Sequence, residues 1–104
     1  MPLLSVKTFK PHPGKEAETL QLVKDARTEM LRVDPNRTVR IFQVEDGERA
    51  GEVSIMIEYA DREAFNRIRA AERADPGWQR IGERANGPDR PAETLSYDQM
   101  IEVE

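Results

Sequence analysis

The sequence predicts an α+β domain with the element order β-α-β-β-α-β, an antiparallel sheet carrying its helices on one face. Three observations lead there. Apolar spacing switches from alternation to a period of three and four and back; breaks rich in Pro, Gly, Asn and Asp fall at the switches; and 104 residues suffice for one core and not two. Residues 1–104 are accordingly expected to form a single domain.

Leu3 to Lys10 mixes β-branched, aromatic and polar residues and is ended by Pro11-His12-Pro13-Gly14, which cannot continue a ladder. From Lys15, Leu20, Val23, Arg27, Met30 and Leu31 recur at helical spacing, with Glu16, Glu18, Lys24 and Glu29 on the other sides. Asp34-Pro35-Asn36 stops that helix. Thr38 to Val44 is a strand, Asp46-Gly47 supplies turn chemistry, and Gly51 to Tyr59 returns as the second arm of a hairpin with Val53, Ile55, Ile57 and Tyr59 on one face.

Asp61 is an N-cap, Glu63 sits in the first turn, and Ala64, Phe65, Ile68 and Ala71 make the apolar stripe of a helix running to about Arg73. Asp75 and Pro76 open a short third helix in which Trp78, Ile81 and Ala85 share a face. Asn86-Gly87-Pro88 through Pro91 excludes helix. Leu95, Tyr97, Gln99, Ile101 and Val103 then alternate with polar residues as the last strand. This order is the split βαβ pattern of the ferredoxin-like fold.

A sheet wet on one side shows clean alternation, yet Leu4 and Val6 stand against Leu3 and Phe9, Ile41 against Phe42, and Ile101 against Met100. The second face is therefore expected to pack on another copy of the chain, as a two-fold homodimer. With 38% hydrophobic and 6% aromatic residues, one subunit is short of material to cover both faces.

Composition removes several function classes. Acidic residues outnumber basic ones by 20 to 16 and are interspersed with them, so no basic stripe exists for nucleic acid. The absence of cysteine excludes a disulfide framework, a thiolate metal site and a cysteine nucleophile. The N-terminal segment becomes charged too soon for a signal peptide and no apolar run spans a bilayer, so a cytoplasmic protein without membrane contact is expected. No glycine-rich phosphate loop and no Gly-x-Ser-x-Gly elbow is present.

His12, the single histidine, is the side chain whose ordinary pKa suits proton transfer near neutrality. Its two readings are a general base at a pocket mouth and a solvated residue in a Pro-His-Pro turn. Lys7 shares a strand face with Leu3, Ser5 and Phe9; desolvated there it would act as a base or anion anchor, otherwise its ammonium reaches solvent. Arg40 would bind a carboxylate or phenolate, or pair with an acidic residue on the adjacent strand. Trp78 and Tyr97 offer apolar bodies with polar tips, as a ligand-stacking wall or as core. A lone histidine among scattered carboxylates lacks the spacing of a metal site, so no metal is expected.

The whole chain resembles the dimeric α/β-barrel superfamily. The likeness is carried by the Pro13-Gly14 start of the first helix, by Glu58-Tyr59-Ala60-Asp61 before Glu63-Ala64-Phe65, and by Asp75-Pro76-Gly77-Trp78-Gln79. The last tract is similar to NIPSNAP-like and antibiotic-biosynthesis-monooxygenase-like members. The resemblance implies two sheets closing face to face into a barrel, a pocket between sheet and helices in each subunit, and no cofactor. It implies a cofactor-independent monooxygenase or polyketide cyclase acting on an aromatic or polyketide-like compound, with Lys7 or His12 as proton acceptor and Ser5, Arg40, Trp78 and Tyr97 around the substrate. The alternative is a non-catalytic dimerisation or ligand-sensing module. The tryptophan and following histidine of haem-degrading members are missing, since Ile68 stands near that tryptophan position and no histidine follows.

Overall fold

The computed structural model describes residues 1–103. The order is β1 (Leu3–Pro11), α1 (Glu16–Val33), β2 (Thr38–Gln43), β3 (Val53–Tyr59), α2 (Arg62–Arg73), α3 (Pro76–Asn86) and β4 (Ala92–Ile101). All strand pairs are antiparallel and the sheet order is β2-β3-β1-β4, the ferredoxin-like arrangement. The sheet is open, with β2 and β4 as its edges, so no barrel closes within one chain.

The helices begin where their caps lie. The Asp61 carboxylate accepts from the Ala64 amide at 2.7 Å, and the Asp75 carboxylate from the Trp78 amide at 3.0 Å with Pro76 opening α3. Leu3, Phe9, Val53, Ile55, Ile57 and Tyr59 on the sheet pack against Leu22, Val23, Ala26 and Met30 of α1, Phe65 and Ile68 of α2, and Ile81 of α3. Gly77 is buried where α3 meets α1; a Cβ there would come within 2.6 Å of the Arg32 guanidinium.

Four details differ from the sequence-based expectation. The buried row of α1 is Thr19, Leu22, Val23, Ala26 and Met30, whereas Leu20 and Leu31 lie at its margin. On α2 the stripe continues to Glu72 instead of Ala71, because Arg37 neutralises the Glu72 carboxylate inside the core. The β2–β3 arms are shorter than expected, and their loop turns at Gly47 and Gly51, both at φ +94°. Finally, β4 starts at Ala92 and contains a bulge: Thr8 pairs with Ser96 but Phe9 with Thr94, leaving Leu95 as the extra, exposed residue. The strand ends at Ile101 because its partner β1 begins at Leu3, and Val103 lies beyond it.

Cross-strand neighbours point to the same face, so register sorts the side chains. Leu3, Ser5, Lys7 and Phe9 with Ile55, Ile57, Tyr59 and Tyr97 face the helices. Leu4, Val6, Phe42, Met56 and Met100 face the other way, beside Arg40, Glu58 and Asp98. Phe42 and Met100 are more than two-fifths exposed there. None of the described helices is long and apolar enough to cross a membrane.

Candidate functional site

Between the helix-bearing face of the sheet and the three helices lies a cavity of about 180 Å³. Most of its wall is apolar: Leu22, Val23, Ala26 and Met30 from α1, Ile55 and Ile57 from β3, and Ile81 and Ala85 from α3. The polar exceptions are Ser5, Lys7, Tyr59, Arg69, Asn86 and Tyr97, and the indole of Trp78 completes the α3 side. Few polar groups converging on a mostly apolar hollow is the usual composition of a small-molecule site.

Lys7 reaches this cavity because β1 alternates, which puts it on the helix side with Ser5. Its cross-strand partner is Tyr97, and its Nζ stands 5.8 Å from the Tyr97 ring centroid and 5.5 Å from that of Phe9. Among the described residues no carboxylate forms an ion pair with it. Burial pushes the Lys7 ammonium below its usual value, and the Arg69 charge pushes the same way, against the opposing effect of Tyr97.

Tyr59 forms the deep end. Its ring meets Phe65 edge-on at 5.1 Å, and its hydroxyl accepts from Arg37 Nη1 at 3.1 Å. Burial pushes the Tyr59 phenol up, which keeps it neutral despite the guanidinium beside it. Arg37 Nη2 also donates to the Met30 carbonyl at 2.7 Å and to Glu72 Oε2 at 2.5 Å. The other Glu72 oxygen accepts from Arg69 Nη1 at 3.4 Å. Arg69 was absent from the sequence-based candidates, since a charged residue on a charged helix reads as a solvated face; its i, i+3 spacing to Glu72 was the available signal.

Of the predicted site residues, Ser5, Lys7, Trp78 and Tyr97 all line the cavity. Two do not. His12 sits past the end of β1, where its amide donates to the Pro91 carbonyl at 2.8 Å and its Nε2 lies 3.4 Å from Glu93 Oε1. The chain has by then run beyond the cavity, so the pocket-mouth expectation for His12 is corrected. Arg40 pairs in register with Met56, itself opposite Val6, which places it on the face away from the helices. Its guanidinium stacks 4.9 Å from the Phe42 ring centroid instead of meeting a ligand in the cavity. Among the described residues no group of three His, Cys, Asp or Glu side chains is arranged to hold a metal ion.

The NIPSNAP family model matches residues 4–88. Among solved structures, the chain is similar to an uncharacterised NIPSNAP domain protein from Burkholderia xenovorans, 20% identical with a TM-score of 0.70 over 98% of this chain and 93% of that one. A NIPSNAP family protein from Agrobacterium tumefaciens is 19% identical with a TM-score of 0.72, over 99% of this chain and 85% of that one. A Bordetella bronchiseptica protein, whose name places it by assignment only among antibiotic biosynthesis monooxygenases, is 14% identical with a TM-score of 0.66, over 99% and 98%. At such identities these likenesses establish the fold. No curated protein matches the sequence.

Proposed function

The chain belongs to the NIPSNAP family, and from that premise we propose that it binds a single-ring aromatic compound between sheet and helices and oxidises it as a cofactor-independent monooxygenase. The observation that carries this reading is Lys7, an amine without an acidic partner among the described residues, set in the wall of an apolar cavity between two aromatic rings. An amine whose charged form is disfavoured by burial takes a proton from a phenol, and the resulting phenolate is electron-rich enough to react with dioxygen. One oxygen atom enters the ring as a quinone carbonyl; the other leaves as water with two hydrogens of the phenol, so no external electrons are consumed. Ser5 and Tyr97 supply polar contacts on the sheet side, and Trp78 offers a stacking surface opposite.

Size selects among the substrates that the family resemblance implies. A cavity of about 150 Å³ already accepts benzene, so about 180 Å³ accommodates one substituted ring and not a polycyclic polyketide. The open face of the sheet, with Leu4, Val6, Met56, Phe42 and Met100, is the surface through which a second copy would dimerise. The displacement of His12 from the cavity favours a second reading, a ligand-sensing module, because it leaves the site without a histidine for proton relay.

Oxygen uptake and quinone absorbance during incubation with simple phenols and hydroquinones test the proposal. Turnover lost in Lys7→Met supports it. Turnover that survives Lys7→Met removes the assigned base, and ring compounds bound without any oxygen uptake favour the sensing module.

A further inference from the structure

The charges around the cavity are unbalanced. Lys7 and Arg69 both reach it, one from β1 and one from α2, whereas α1 and α3 contribute no charged side chain to its lining. The remaining titratable groups there are Tyr59 on β3 and Tyr97 on β4. The nearest carboxylate to Arg69 is Glu72, and it is shared: its Oε2 is taken by Arg37 at 2.5 Å and its Oε1 accepts a longer bond from Arg69 at 3.4 Å. One carboxylate facing two guanidiniums leaves positive charge in surplus, in a chain whose formal net charge is −4. That hydrogen bond is the one Arg69 makes among the described residues, so most of its donor fork is uncommitted, and its side chain is only 25% exposed.

We infer that the cavity selects a ring compound bearing an acidic oxygen, held as its anion between Lys7 and Arg69 while the ring lies against the apolar wall. This rests on the small-molecule reading of the same cavity and adds Arg69 as the group that selects an acidic ring compound over a neutral one. Holding Lys7 charged beside Arg69 in a poorly hydrated hollow is costly, and a bound oxyanion offsets that cost while gaining charge-assisted hydrogen bonds from both groups. A neutral ring of the same shape gains neither. An acidic ligand that enters protonated transfers its proton to Lys7, and Arg69 then stabilises the anion that remains. The phenol required for oxidation is thereby also the group by which the ligand is recognised.

The probe is 4-nitrophenol, whose anion and neutral form absorb differently, compared with nitrobenzene, which has the same ring and nitro group and no acidic oxygen. The expected result is that 4-nitrophenol binds as the phenolate at a pH below its solution midpoint, at least about tenfold more tightly than nitrobenzene. Arg69→Met should weaken 4-nitrophenol binding by about tenfold, the weight of one charge-assisted contact, and leave nitrobenzene binding unchanged. Should that variant fail to fold, Arg69→Gln, which keeps a donor toward Glu72, is read in the same way. Equal affinity for the two probes, with 4-nitrophenol bound in its neutral form, overturns the inference and leaves the cavity as a binding site. Absence of binding by either probe overturns both the inference and the reading on which it rests.

Discussion

Glu72 of α2 and Arg37, the residue before β2, meet as an ion pair with each side chain only 1% exposed. Arg37 crosses from the α1–β2 connection into the core, where it also donates to the Tyr59 hydroxyl and the Met30 carbonyl, while its Nε has no partner among the described residues. One guanidinium thereby ties α1, α2 and β3 together beneath the cavity. A buried pair stabilises little relative to apolar residues of the same volume, but breaking it strands a charge.

Glu72→Ala should therefore lower the unfolding free energy by about 3–5 kcal/mol, measured by urea titration at neutral pH. Replacing both partners, Arg37→Met with Glu72→Leu, should recover most of that loss. A single variant as stable as the parent would show that the pair is open to water in solution.

Lys7 sets a pH dependence. Its folded-state pKa lies below its unfolded value, so between the two the unfolded chain binds more protons, and stability rises as pH rises through the folded pKa toward the ordinary lysine range. Lys7→Met should flatten that rise and raise the melting temperature below it. A parallel pair of stability curves would indicate that the ammonium is fully hydrated.

Asp75 gives a rise of the same sign in the acid range, from a favourable contact instead of a buried charge. The Arg32 guanidinium, and next the Trp78 amide, hold its carboxyl below the usual carboxylate range. Its contribution is present above the unfolded pKa and is lost as pH falls through the folded one. Asp75→Ala should lower the melting temperature at neutral pH, whereas Asp75→Asn, which keeps an N-cap oxygen, should lower it less. Thermal melts across the acid range check both, and an unchanged acid limb in Asp75→Ala would remove the assignment.

The open sheet face makes a prediction about assembly. Met56 lies in its middle, opposite Val6 on β1 and Arg40 on β2. If two copies meet there, Met56→Arg should shift the chain toward monomer by setting a second cation beside Arg40 in the contact, while Lys7 lies on the opposite face of the sheet. Light scattering after gel filtration reads the mass. A parent that is monomeric at all concentrations would remove the homodimer.

Much of the fold was legible because it depends on local chemistry. Asp61 and Asp75 announced their helices as caps, Val53 to Tyr59 alternated as a strand with one face in the core, and the element order selected the ferredoxin-like arrangement. The candidate site was partly legible for the same reason: the parity of β1 put Ser5 and Lys7 on one face, and helical spacing put Trp78 on one face with Ile81. Glu72 was misread because a stripe of small and apolar residues favours Ala71, and nothing within α2 reveals that Arg37 waits in the core.

By itself the sequence determined what nearest neighbours along the chain can decide: which segments are helix or strand, where the capped helices α2 and α3 begin, and which residues of β1 share a face. Tertiary structure decided what depends on pairing between distant segments. The register of β2 on β3 turned Arg40 away from the cavity, the bulge at Leu95 set where β4 exposes its side chains, and the packing of α2 on β3 brought Arg69 to the cavity that Lys7 lines. Shifting a strand register by one residue reverses every side chain on it while leaving the local pattern unchanged. Secondary structure is thus written in short-range periodicity, whereas the partners of a charge such as Arg37 or Lys7 are chosen only when the sheet and helices close over the core.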